Sequence, residues 1–253
     1  MLSGLIRMPS RRTFLVLLPI LLGLAACAKE PVFDPVTKFR DAEDKMQRFK
    51  YEDARKAYQE IQEKAPDRSY DADIMLRIAD TYYGEEKYSE AVVEYQAFLN
   101  FHPVHRDASY AQFQVGMCNY NDLTTIDRDP SIPRTTIKEF QKLLDKYPGS
   151  PYEALAKKHI AECRDRLAAY ELYVGRFDYK KGAYEAATVR LEKMVKDFPG
   201  SASEEEALYV TALAHLERGE RDEALRTFET LRERYPDTKH DVASQIAKLK
   251  TRQ

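Results

Sequence analysis

The sequence predicts an all-α solenoid of five helix pairs in two lobes joined by a long helix, with a C-terminal capping helix, and three observations predict it. First, five helix-stopping signals recur, "EKAPD", "NFHPV", "DKYPG", "KDFPG" and "ERYPD", with prolines at Pro66, Pro103, Pro148, Pro199 and Pro236. Proline removes a backbone N–H and clashes with the preceding turn, so each marks a helix end. Second, the residue twelve before each proline is small, namely Ala54, Ala91, Thr136, Ala187 and Ala224. Four residues later comes a large one: Tyr58, Tyr95, Phe140, Leu191 and Phe228. Third, twelve residues before that small position lies another small residue in four units, Ala42, Ala79, Gly175 and Ala212. Small residues let paired helices approach closely while the large side chain fills the next groove.

Before the first unit, Arg7, Arg11 and Arg12 precede an apolar run from Phe14 to Leu24, then Ala25, Ala26 and Cys27. Basic, apolar and small residues in that order make a secretory signal over residues 1–26. Eleven residues at about 1.5 Å each fall short of a hydrocarbon core about 30 Å thick. The tetrapeptide Leu24-Ala25-Ala26-Cys27 resembles the bacterial lipobox, which implies cleavage before Cys27 and acylation there. Acyl chains contribute about 0.8 kcal/mol per buried CH₂, enough together to hold a polar chain on a membrane. Ala28 stands where the inner-membrane retention signal of lipoproteins carries Asp, which points to the outer membrane. Residues 10–15, "SRRTFL", also match much of a twin-arginine signal, so both export routes stay open. Residues 27–35 then form a lipidated tether.

Units one to three occupy residues 36–150. In the third, the small positions Gly116 and Thr136 lie twenty residues apart instead of twelve, so eight are inserted. The polar stretch "NDLTTIDRDPSIPR" must hold them as a loop. From Pro148 to Gly175 the spacing is twenty-seven residues against thirteen elsewhere. Those fourteen extra residues are close to four whole turns, which lengthens a helix while nearly keeping its phase. Residues 151–253 therefore hold the long connecting helix, units four and five, and the cap. Ser150-Pro151-Tyr152-Glu153 reads as N-cap, Pro at N1 and Glu at N3 of the long helix, and Ser201 with Glu204 offers the same capping box to the next unit. At the C-terminus, Val242, Ile246 and Leu249 share one face, with Lys248, Lys250 and Arg252 elsewhere, as a capping helix requires.

The chain carries 40 Lys+Arg against 42 Asp+Glu, a balance that implies no nucleic-acid partner. No Gly-rich phosphate loop, G-x-S-x-G or H-E-x-x-H is present, so no enzymatic activity and no cofactor beyond the lipid on Cys27 is expected. His102 and His105 flank a turn without neighbouring Cys or carboxylate ligands at suitable spacing and read as solvated. Asp122, Asp127 and Asp129 lack the Gly and bidentate Glu of a calcium loop. Cys118 and Cys163 admit a disulfide or two buried thiols, with buried thiols favoured because nothing fixes their separation.

The repeat signature of small, small, aromatic and Pro at these offsets resembles the tetratricopeptide repeat, whose first helices line a concave face. By that resemblance the positions three before, one after and four after the first small residue point inward. These are Phe39, Glu43 and Met46 in unit one and Leu76, Asp80 and Tyr83 in unit two. In unit three, Tyr110, Phe113, Met117 and Tyr120 form a stripe. The expectation is an apolar groove for an extended peptide with an aromatic side chain. Stripes of this kind also serve as core, and part of this one must pack between units.

The stretch "RDRLAAYELYVGRFDYKKGAYEAATVRLEKMVKDFPGS" (164–201), with the lipobox, five repeats, "DRDP" and the long helix, resembles the BamD family of outer membrane assembly lipoproteins. The resemblance implies a lipid-anchored scaffold on the periplasmic face of the outer membrane. It further implies that the C-terminal lobe binds the last POTRA domain of BamA, and that the N-terminal lobe binds the aromatic-rich C-terminal signal of unfolded barrel proteins. The resemblance carries BamA binding onto two residues: the family's arginine in the second helix of unit four matches Arg190, a candidate partner for a POTRA carboxylate, and Lys196 stands where a nearby family Arg would be, without the bidentate geometry of a guanidinium. Other periplasmic repeat lipoproteins, such as a type IV pilotin or a Tol-Pal partner, share the fold but are not expected to carry the long helix and "AYELYVGRFDYKKGAY" together. A cell-wall enzyme would need a catalytic span, and the repeats leave none.

Overall fold

Each proline stop falls two residues beyond a helix end, and the helices between the stops come in pairs. The computed structural model describes residues 33–65, 71–123 and 130–251. The signal, Cys27, Pro66, Asp127, Asp129 and Arg252 lie outside the described residues. Eleven α-helices and no strand occur among those described: α1 (Pro35–Gln47), α2 (Tyr51–Lys64), α3 (Asp71–Gly84), α4 (Tyr88–Phe101), α5 (Ala108–Asn121), α6 (Ser131–Lys146), α7 (Glu153–Lys180), α8 (Tyr184–Asp197), α9 (Glu204–Glu217), α10 (Arg221–Arg234) and α11 (Val242–Lys250). Every helix packs on the next, giving an all-α tetratricopeptide-repeat solenoid with α11 as its cap.

Local chemistry sets the ends. Asp34 caps α1 by accepting from the N–H groups of Val36 (3.1 Å) and Thr37 (3.2 Å), with Pro35 at the first position. The tight turns inside four pairs put one residue in the left-handed region: Phe49 (φ 58°), Glu86 (φ 59°), Gly182 (φ 77°) and Gly219 (φ 77°). Glycine is unstrained there, whereas Phe49 and Glu86 each cost about 1–2 kcal/mol that the packed helix pair must offset.

The core follows the small-then-large rule. Ala54, Ala91, Thr136, Ala187 and Ala224 are buried, and so are Tyr58, Tyr95, Phe140, Leu191 and Phe228. Each large side chain contributes about 1.5–3 kcal/mol of apolar burial. The first small position faces the large residue of its partner helix: a Cβ on Gly116 would lie 2.4 Å from the Phe140 ring, and one on Gly175 2.4 Å from Leu191. Helix α11 buries Val242, Ile246 and Leu249 against α9 and α10.

The long helix forms in one piece, as the added whole turns predict, and three local expectations around it change. The connecting helix and the first helix of unit four are one continuous element, α7, of 28 residues. It begins at Glu153, because a turn in which Glu153 N–H donates to Ser150 O (3.0 Å) comes first; Pro151 is therefore not at N1. The side chains still cross-bond, Tyr152 N–H to Ser150 Oγ (3.2 Å) and Gly149 N–H to Glu153 (3.1 Å). At α9 only the glutamate half of the box forms, Gly200 N–H donating to Glu204 (2.5 Å), while Ser201 Oγ is buried without a hydrogen-bond partner. In the inserted stretch, Pro133 and Arg134 belong to the first turn of α6 rather than to a loop, since proline fits a first turn where no N–H partner is needed. Cys118 and Cys163 are both free and buried.

Candidate functional site

Two grooves stand out. The first, a cavity of about 470 Å³, lies among α1, α3, the α4–α5 turn and α5. Of the residues expected in an apolar groove, Phe39, Leu76 and Tyr110 line it, together with Tyr152. The rest of the wall is charged: Asp73, Arg77, Asp80, Arg106 and Asp107.

The charge is organised by the position just after the small residue of each first helix. Glu43 accepts from Tyr58 Oη (2.6 Å) and pairs with Arg77 Nε (2.9 Å). Asp80 accepts from Tyr95 Oη (2.6 Å) and Tyr110 Oη (2.8 Å) and pairs with Arg77 Nη1 (3.1 Å). Burial first, and the Asp80 charge second, push the phenols of Tyr95 and Tyr110 far above the usual range. These tyrosines therefore act as fixed donors, and the groove is a polar network with an aromatic floor.

The other predicted groove residues sit elsewhere. Phe113, Met117 and Tyr120 pack in the seam that joins α5, α6 and the start of α7. Phe113 stacks on Tyr152 (4.8 Å between centroids), and Tyr120 packs on His159 (4.4 Å) and donates to Glu162 (2.8 Å). The additional turns of α7 thus cover the stripe. Tyr83 meets Tyr88 edge-on and accepts from Asn121 (2.9 Å). Met46 packs on the core of the first pair. None of these five lines the cavity.

At the mouth, Asp73, His105 and Asp107 bring ligand-type atoms within 4.8 Å of one another. The fold adds one carboxylate, Asp73 from the start of α3, to His105 and Asp107, which stand two residues apart in the sequence. The Arg106 guanidinium already lies against them, 3.6 Å from Asp73 and 3.1 Å from Asp107.

The second groove is larger, about 1110 Å³, and runs along α8 between Arg134 at the start of α6, Glu171 on α7 and Arg218 at the end of α9. Tyr184, Val189, Met194 and Phe198 give it an apolar wall, edged by Glu185, Lys193 and Asp197. Arg190 projects into it, held by Glu171 (Nη1 to Oε2, 2.7 Å) and Asp178 (Nε to Oδ2, 3.4 Å). Partial burial works against the charged guanidinium, but the Glu171 bond and the two nearby carboxylates outweigh it and raise its pKa. Lys196 is exposed near the end of α8 and does not line the groove. Sequence reasoning missed Arg134 and Arg218; the eight-residue insertion and the long helix, which decide what faces α8, were the available signal.

Among the described residues no helix is long and apolar enough to cross a membrane. A family model described as YfiO, outer membrane lipoprotein, matches residues 34–225. The chain is similar to the outer membrane protein assembly factor BamD of Neisseria meningitidis serogroup A, 27% identical over 243 residues, covering 87% of this chain and 91% of the relative. It is similar also to BamD of Caulobacter vibrioides, 24% identical, covering 85% and 72%. Of solved structures, the TPR2AB domain of yeast Sti1 in its complex with pHSP90 is 14% identical with a TM-score of 0.46, covering 86% of this chain and 83% of that one.

Proposed function

Because the chain belongs to the YfiO family of outer membrane lipoproteins, we propose that it is a lipid-anchored periplasmic scaffold of the outer membrane β-barrel assembly complex. Relatives named outer membrane protein assembly factor support the general role. In this reading acylated Cys27 anchors the chain to the outer membrane. Units four and five seat the periplasmic POTRA domain of BamA, and units one to three take the C-terminal signal of unfolded barrel proteins. The work is binding: the anchor holds the module beside the machine and raises the local concentration of substrate tails.

The observation that carries this reading is the α8 groove, where an apolar wall surrounds a guanidinium held by Glu171 and Asp178. Such a groove suits a folded partner that brings apolar side chains and one carboxylate. In the N-terminal groove the Asp80 network and Arg77 would take backbone groups and a chain-terminal carboxylate, with Tyr110 and Tyr152 beside an aromatic side chain. Arg190→Glu is expected to abolish co-purification of BamA from detergent-solubilised outer membranes while far-UV circular dichroism stays unchanged. Wild-type recovery of BamA with that variant would remove the groove from the interface.

A further inference from the structure

The helix ends of units one to three place one set of turns on the side where the tether leaves the fold. The Lys64 ammonium at the end of α2 lies 5.7 Å from the Phe33 ring at the start of α1. Arg106 in the α4–α5 turn lies 3.6 Å from Asp73 at the start of α3, and Tyr147 just after α6 donates to Pro103 O in that same turn (3.2 Å). Phe39 and Arg106 line one cavity. The start of α1, the α4–α5 turn, the end of α6 and the start of α7 therefore share one end of the solenoid.

Four large apolar side chains are left uncovered at that end. Val104 is 96% exposed, Phe101 74%, Val36 50% and Leu155 46%, each in a terminal turn at this end. Among the described residues, large apolar side chains this exposed occur elsewhere at Phe49, at the opposite end, at Val93 in the middle of α4, at Tyr173 and Phe177 in the later turns of α7, and at Val189 on α8; Val104 exceeds them all. No core requirement puts phenylalanine and valine on a solvated turn, and polar residues would serve the turn better.

We infer that this end of the solenoid rests on the lipid bilayer, with Phe101 and Val104 inserted at the acyl–headgroup boundary. The inference rests on the reading that Cys27 is acylated. Eight peptide steps separate Cys27 from the first residue of α1, and fully extended they span at most roughly 28 Å. The start of α1 is thus always within that distance of the bilayer, and the uncovered apolar turns are on the same end of the fold. The lipid anchor supplies residence; the turns fix orientation, so that the helix axes of units one to three stand off the surface and the opposite turns face the periplasm.

The chain contains no tryptophan, so a single indole reports its own surroundings. The acylated full chain, carrying F101W, V104W, V93W or V189W, is reconstituted with phosphatidylethanolamine–phosphatidylglycerol vesicles, with and without bromine on the acyl chains. Flotation with the vesicles measures the anchor; quenching measures insertion. We expect all four variants to float, with F101W and V104W blue-shifted and quenched by brominated lipid. V93W, two helical turns or about 12 Å from Phe101, and V189W on α8 stay unquenched. Flotation with no quenching at Phe101 and Val104, or with equal quenching at Val93, overturns the inference and leaves the anchor standing. Failure to float overturns the anchor reading and the inference with it. Independently, Phe101→Asp combined with Val104→Asp should speed exchange of the acylated chain between vesicles roughly tenfold, which corresponds to about 1.4 kcal/mol; an unchanged rate is the contrary result.

Discussion

The two grooves sit on opposite members of the helix pair: the first lies among the first helices of units one to three and is mainly polar, whereas the second runs along α8, the second helix of unit four, and sets an apolar wall among its charges. In units one and two the acid after each small residue, Glu43 or Asp80, collects Arg77 and the tyrosine hydroxyls into a network. In unit four the position after the small Gly175 is Arg176, so no such network forms; Glu171 and Asp178, at other positions of α7, hold Arg190, and Val189, Met194 and Phe198 are left to line the wall. The difference arises at the unit between them. There the lengthened α7 lies over Phe113, Met117 and Tyr120, taking the aromatic stripe out of the first groove. An insertion outside a repeat thus decides which side chains of the repeat remain available.

The strongest way to break this comparison is to open the seam. Phe140 is fully buried against Gly116, Phe113 (5.7 Å between centroids) and His159 (5.5 Å). Phe140→Ala should cost about 3–5 kcal/mol in urea unfolding. It should also uncover the stripe, seen as increased binding of an apolar dye to the native state. Leu191→Ala, the equivalent change in unit four, should cost about 2–5 kcal/mol without the dye signal, because no stripe is stored there. Equal dye binding by the two variants would mean that α7 does not sequester the stripe.

The fate of those residues shows where sequence reading stops. Helix ends, pair membership and the buried large residues follow from local rules: prolines two residues past the helix ends, small residues where helices touch, phase kept by adding whole turns. Position on the first helix also brings Phe39, Leu76 and Tyr110 into one cavity. What local rules cannot supply is which neighbour covers a face. Phe113 and Tyr120 obey the same helical register as Leu76, and only the placement of Tyr152, His159 and Glu162 on or before α7 separates them. Likewise His105 acquires Asp73 from a helix start 32 residues earlier, a juxtaposition no spacing rule contains.

A smaller test addresses the brace between units one and two. Arg55 on α2 bonds Thr81 (3.1 Å) and Glu85 (3.0 and 3.3 Å) and lies 4.1 Å from the centroid of the Tyr82 ring, all but buried. Arg55→Ala should cost about 3 kcal/mol, at the low end for a broken buried pair because Lys87 (2.9 Å) still attends Glu85. Burial opposes the Glu85 charge, but the Arg55 and Lys87 bonds outweigh it and hold the carboxyl below its ordinary value of 4.5. A folded pKa below the unfolded one means the contribution is complete above pH 4.5 and is lost as pH falls through the folded value. Wild type should therefore lose stability on that acid limb more steeply than Arg55→Ala. Parallel limbs would place the coupling elsewhere.

The smallest expected effect is a coincidence, and it sharpens the comparison most directly. Burial pushes the Cys118 thiol up to about 12 and the Cys163 thiol up to about 11. Burial thus holds both in the protonated form rather than the reactive thiolate, so neither should alkylate in the native chain. Cys118 belongs to the core that backs the charged groove, packed with Leu76 and Tyr95, whereas Cys163 lies within α7. They report the two regions separately. Because α7 runs unbroken from the seam of unit three into unit four, opening one end removes packing from the other. Alkylation followed by peptide mass spectrometry across a urea series should give the same midpoint at both thiols, and reductant alone should leave the Tm unchanged. Staggered midpoints would mean that the two grooves sit on lobes that fold independently, with α7 a connector rather than a coupling.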